Sequence, residues 1–171
     1  METGTNGLQR IDGDECLRLL AVASLGRIAL TDRALPVILP VSYGVLGTDL
    51  VFEVDSGLLL RAAHQHHIVC FEVDFADIAT SVAWSVIVTG SLRVVDDADL
   101  IERARRLGIR TWSTGTAGQI LTLPTAVVSG RRAVAADSGR AIGPDRTGPM
   151  APIRLTSASD RSDVRSADSV S

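Results

Sequence analysis

The chain has 171 residues, 46% of them hydrophobic and 22% charged, with a formal net charge of −3. That length suffices for one domain with an ordinary core, and the weak acidic balance gives no electrostatic footprint for nucleic acid or an anionic membrane surface. All 17 basic residues are arginine, so no lysine is there to form a Schiff base, and any side-chain cation for a phosphate must be a guanidinium.

The polar start METGTNGLQR, and the lack of any apolar run of about 18 residues, give no sign of a signal peptide or a membrane span; a cytoplasmic protein is expected. Asp12, with Glu15 three residues on, has capping-box spacing and opens a helix through CLRLLAVAS, whose stop is expected at Gly26. Leu19, Leu20 and Ala23 share one face with Cys16 above them, a stripe suited to packing on a sheet. Residues 27–30 read as a short strand and 31–33 as a turn. The stretch 35–57, LPVILPVSYGVLGTDLVFEVDSG, then holds two β-branched runs, 37–43 and 50–54, on either side of a connection with Gly44 and Gly47. This is the pattern of a hairpin. Pro36 and Pro40 have no N–H to donate, which puts the first strand at an edge or a bulge and leaves backbone groups for a planar polar ligand.

Residues 58–64 allow about two helical turns. Residues 68–73 alternate as a strand, with Asp74 and Asp77 expected in the loop beyond. Residues 84–95 form the longest β signal, apolar on both faces. Such a strand needs cover from its own core and from a second body, and in a domain this small that favours a symmetric dimer. Residues 96–108 read as a second capped helix, acids first and arginines last, with Leu100, Ala104 and Leu107 on its apolar face. A loop with Trp112 follows, then two strands, 119–123 and 126–134, separated by Pro124. Strands with a few modest helices suggest a β-barrel with appended helices. From residue 135 the chain turns to Ala, Ser, Gly, Pro, Asp and Arg, with five Asp against five Arg and no aromatic residue. Such a segment buries too little apolar surface to offset its ordering entropy, so the expected organisation is one domain, 1–134, and a disordered tail, 135–171.

Few motifs carry chemistry by themselves. His64, His66 and His67 sit at a helix–strand junction with a spacing that converges poorly, and no Cys or Glu completes a zinc pattern, so no metal is expected. Cys16 and Cys70 form no CxxC pair and read as buried, reduced thiols. GxSxG, Walker and GxGxxG patterns are absent from the sequence. Trp84 and Trp112 are the only tryptophans; Trp112, in a polar loop, is placed to close over a ring-shaped ligand or a partner subunit.

Taken together, GRIAL, LPVILPVSYGV, LVFEVDSG, FEVDFAD, WSVIVTGSLRVV, TWSTG and SGRR occur in an order that resembles the small pyridoxamine 5′-phosphate oxidase-like proteins, over about residues 12–134. The resemblance implies an all-β fold, a flavin-binding split β-barrel of about six or seven strands with two or three short helices, working as a homodimer. It also implies FMN, or a related deazaflavin, at the dimer interface, and hydride transfer to a small-molecule substrate. The positions that match the family's ring-binding part are Pro40, Val41, Ser42 (usually Asn) and Tyr43. Trp84 and Ser85 match its G-W-S, with Ala83 in place of the Gly. Around the phosphate, Phe52, Gly57 and Leu60 match, whereas Glu53, Val54, Leu58 and Leu59 stand where the family commonly has Arg, Thr, Thr and Lys. Phosphate binding would then fall to Arg61, Arg27, Ser56 and the backbone N–H groups that open 58–64. No protein acid or base is evident, so the flavin would carry the redox chemistry. The replaced positions favour an alternative, a non-catalytic split-barrel dimer that has lost the flavin and serves as a binding module.

Overall fold

A computed structural model describes residues 8–77, 79–109 and 118–133, all within a unit that runs Met1–Asp137. The expected tail and Trp112 lie outside the described residues. In chain order the elements are β1 (Leu8–Ile11), α1 (Gly13–Val22), β2 (Leu25–Asp32), β3 (Leu35–Ser42), β4 (Gly44–Leu46), β5 (Asp49–Val54), α2 (Leu58–His64), β6 (Ile68–Asp77), β7 (Val82–Ser91), β8 (Arg93–Val94), α3 (Ala98–Arg106), β9 (Gln119–Pro124) and β10 (Val128–Ala133). They build two open antiparallel sheets, a six-stranded one in the order β1-β10-β7-β6-β2-β3 and a four-stranded one in the order β4-β5-β9-β8. This is a split-barrel arrangement, mostly β with three helices among the described residues.

The hairpin expected within 35–57 does not form. β3 pairs with β2 in the large sheet, from Leu25↔Ser42 to Asp32↔Leu35, whereas β5 pairs with β4 and β9 in the small one. The change of sheet falls at Tyr43, whose ring is buried and whose hydroxyl donates to the Leu20 carbonyl at 2.6 Å. A second change of sheet splits the run 84–95. β7 stays in the large sheet and β8 in the small one, and buried Leu92 between them donates its N–H to the His67 carbonyl at 3.0 Å. With these splits and the short β1 and β4, the described residues hold ten strands rather than six or seven. β3 is an edge strand, as its prolines require.

Between the sheets lies one core. Ile28, Phe71, Val86 and Val88 of the large sheet meet Leu50, Phe52, Leu121 and Leu123 of the small one, with Leu20 of α1 and Leu59, Ala62 and Ala63 of α2 closing the ends. Phe71 is at the centre, edge-on to Tyr43 at 4.8 Å and to Phe52 at 5.6 Å, separations at which aromatic pairs add to area burial. Gly26 is not the stop of α1; it lies in β2, and a Cβ there would come within 2.3 Å of the Phe71 ring. α1 ends at Val22. It is capped by Asp12, which accepts from the Glu15 N–H at 2.8 Å. The Glu15 carboxylate, instead of completing the box, binds Arg18 and, at 2.8 Å, Arg132 of β10. Arg18 first, then Arg132, hold that carboxyl below its ordinary range.

The two sheets differ in how their outer faces are covered. α3, capped by Asp97 and closed at Gly108 with φ +63°, lays Leu100, Ile101 and Ala104 over Val51 and Ile120 of the small sheet and Val95 just past β8. No described helix lies on the outer face of the large sheet. There Ile38 and Ile68 are 65% and 68% exposed. Pro36 and Pro40 are exposed beside them, and Cys70, expected buried, is half-buried.

Candidate functional site

Strand register sorts the expected site residues. In the large sheet, Ile28, Phe71 and Val88 share the inner row; by alternation their neighbours Arg27, Glu72 and Ile87 point outward. Arg27 pairs with Pro40 of β3 on one side and with Glu72 of β6 on the other. Ser42 shares the same face two residues along β3, paired with Leu25. Ser85 of β7 faces Asp74 of β6. Arg27, Pro40, Ser42 and Ser85 are therefore brought to one surface.

Asp74 joins them. It lies within β6 rather than in a loop, because the alternation that begins at Ile68 continues to Asp77. Its carboxylate binds the Arg27 guanidinium on the adjacent strand β2, diagonally across the pair, with both side chains about half exposed. Leu25, Gly26, Arg27, Pro40 and Asp74 line a shallow cavity of about 200 Å³. Asp77 instead caps the β6–β7 turn, accepting from the Ala79 N–H at 2.9 Å and the Thr80 hydroxyl at 2.7 Å.

Other candidates are committed elsewhere. Val41 is buried on the inner face and Tyr43 in the core, so neither side chain reaches the outer surface. Burial pushes the Tyr43 phenol well above its ordinary pKa. Trp84 lies on the inner face near the end of the large sheet, stacked on Phe75 at 6.1 Å. Ser56 and Arg61 are exposed, on the β5–α2 connection and on α2. Leu59, at the family's Lys position, is only 7% exposed and sits in the core, so a cation there would be buried rather than presented to a ligand. Glu53, at the Arg position, accepts from the Gly118 N–H at 3.1 Å, and a Cβ on Gly118 would lie 2.6 Å from the Val54 carbonyl oxygen. Glu53 thus pins the start of β9 against the end of β5. Among the described residues no three His, Cys, Asp or Glu side chains gather to hold a metal ion. The His66 and His67 carbonyls accept from Ser91 and Leu92, tying the α2–β6 connection to the β7–β8 crossing.

This fold and this order of residues are those of the split-barrel class, and the chain belongs to the pyridoxamine 5′-phosphate oxidase family, whose sequence model matches residues 12–139. It is 32% identical over 130 residues to the uncharacterized protein Rv0080 of Mycobacterium tuberculosis, a match covering 73% of this chain and 85% of that one. Among solved structures it is similar to the FAD binding protein from Mycobacterium smegmatis, with 29% identity, a TM-score of 0.62, and coverage of 72% of this chain and 98% of that one. The fold is shared with a putative pyridoxamine 5′-phosphate oxidase from Corynebacterium glutamicum at 23% identity and a TM-score of 0.63, over 76% and 96% of the two chains. No helix among the described residues is long and apolar enough to cross a membrane.

Proposed function

We propose that the protein is a flavin-dependent oxidoreductase that works as a homodimer, with the flavin ring held on the outer face of the large sheet and covered by the second copy. The observation that carries this reading is the uncovered face itself, which is apolar around Ile38, Ile68 and Ile87 and polar around Arg27, Ser42, Asp74 and Ser85. A flat ring fits a flat sheet face. Arg27 offers a donor to a ring carbonyl, and Pro40 offers an apolar surface beneath the ring. Similarity to an FAD binding protein supports a flavin as the cofactor.

The ring end of the site fits a flavin; the β5–α2 loop fits its phosphate poorly, since Leu59 is in the core and Glu53 is tied to Gly118. A flavin held there by Arg27 and Pro40 would supply the hydride-transfer chemistry. The chain's own part is to orient the ring and exclude water. Arg27, held by Asp74, presents a fixed cation at the cavity, and the apolar half of the face seals against the partner copy. The state of the β5–α2 loop favours one second reading, a dimeric binding module without flavin.

The purified full-length protein decides between them. Flavin absorbs at about 450 nm, and the expected result is a yellow protein, or a colourless one that takes up FMN, FAD or a deazaflavin and quenches in the presence of a hydride donor. A colourless protein that binds none of the three overturns the enzymatic reading in favour of the module.

A further inference from the structure

Arg10 on β1 stands directly opposite Arg131 on β10. Arg131 faces Ser85 on β7, and Ser85 faces Asp74 on β6. All four lie on the outer face of the large sheet, since their neighbours Ile11, Gly130, Val86 and Val73 share the inner row. Like charges directly opposite each other on adjacent strands are destabilising, with Cβ atoms about 5 Å apart. Neither guanidinium has a carboxylate partner among the described residues, and both side chains are exposed. Arg132, the next residue, behaves differently: it turns to the inner face and binds Glu15 at 2.8 Å. Asp74, the nearest carboxylate along the row, is engaged by Arg27, and Glu72 lies beside Arg27 on that same side.

We propose that Arg10 and Arg131, with the Ser85 hydroxyl beside them, form a binding site for a phosphate group. A phosphate between the two guanidinium groups exchanges their repulsion for charge-assisted, bidentate hydrogen bonds. The site lies two strand spacings, about 10 Å, from the Asp74 wall of the Arg27–Pro40 cavity, so one extended ligand spans both. The phosphate has two possible sources, the flavin's own phosphate or pyrophosphate and a phosphorylated substrate. In the first case the inference rests on the flavin reading above and supplies the anchor that the β5–α2 loop lacks; in the second it stands without it.

The test uses the full chain and inorganic pyrophosphate as the probe, titrated calorimetrically into wild type, Arg10→Gln, Arg131→Gln and Arg131→Lys. Wild type should bind, each Gln variant should lose about tenfold or more, and Arg131→Lys should fall between because it keeps the charge without the fork. The Gln variants should melt at or above the wild-type temperature, because each removes half of a repulsive pair. Riboflavin, FMN and FAD then separate the sources. If the flavin supplies the phosphate, the Gln variants lose FMN and FAD while keeping riboflavin; if a substrate supplies it, all three flavins bind wild type and variants alike and only pyrophosphate weakens. Absence of any flavin binding together with Arg-dependent pyrophosphate binding sinks the flavin reading and leaves this site standing. The proposal is overturned if wild type does not bind pyrophosphate, or if both Gln variants bind it as wild type does. It is likewise overturned if the variants lose only the dimer, which would assign the pair to a carboxylate of the second copy.

Discussion

Arg33 and Ala34 make the two-residue turn between β2 and β3 with φ of +48° and +66°. Positive φ at both central positions is the type I′ turn, whose twist suits a hairpin and whose preferred residues are Asn and Gly. Here Arg and Ala carry the left-handed strain, at a cost on the order of 1 kcal/mol each. Replacing them, Arg33→Asn with Ala34→Gly, should stabilise the fold by about 1–2 kcal/mol, read as a shifted urea midpoint at unchanged slope. Tyr43 allows a different measurement, because it is the single tyrosine of the chain. Burial keeps its phenol protonated in the fold, while the unfolded chain ionises near pH 10. Above that pH the folded state holds the extra proton, so stability falls as pH rises, by up to about 1.4 kcal/mol per unit. Tyrosinate absorption should therefore appear together with alkaline unfolding rather than ahead of it. Tyr43→Phe should flatten the alkaline slope while costing about 1 kcal/mol at neutral pH for the lost bond to Leu20.

At the level of elements, α2 shows how a sequence match and a structural position part company. Leu59 stands where the family resemblance leads one to expect a phosphate-binding lysine, and its side chain closes the core beside Ala62 and Ala63. Leu59→Lys should destabilise by about 3 kcal/mol or more through a buried, unpaired ammonium and should add nothing to phosphate affinity; tighter FMN binding at unchanged stability would refute the placement. The helices and most strands were legible in the sequence, because their signals are local. Asp12 and Asp97 do cap α1 and α3, and the β-branched run of β5, the alternating run of β6 and the run of β9 are strands. Strand partners were not legible. A run of apolar β-branched residues records that it is buried, not by which sheet, so 37–43 and 50–54 looked like neighbours although the chain changes sheet at Tyr43. The same limit hid Asp74, whose place beside Arg27 follows only from register. It also hid Arg10 and Arg131, which are separated by most of the chain and meet only because β1 pairs with β10.

For the molecule as a whole, the contrast between the two outer faces is the ground for the proposed dimer. The small sheet has its own cover in α3, and the large one leaves Ile38, Ile68 and Ile87 in water, a patch of the kind that marks an interface. Sedimentation at micromolar concentration should give about twice the chain mass for wild type. Ile38→Arg, on the same face and already exposed in the single chain, should give the chain mass without loss of melting cooperativity. A wild-type monomer would remove the second copy from the proposed site.

The register of β1 against β10 also governs how the protein comes into being. Leu8 is answered by Ala133, and Asp49 by Pro124, so each sheet needs strands made early and strands made late. A nascent chain on the ribosome cannot complete the small sheet until β9 has emerged, nor the large one until β10 has, and β1 waits unpaired until then. Pairings this distant in sequence carry a large loop-closure entropy, so the arrival of β9 and β10 is the slow step that completes the sheets which the local β2–β3, β4–β5 and β6–β7 pairs begin.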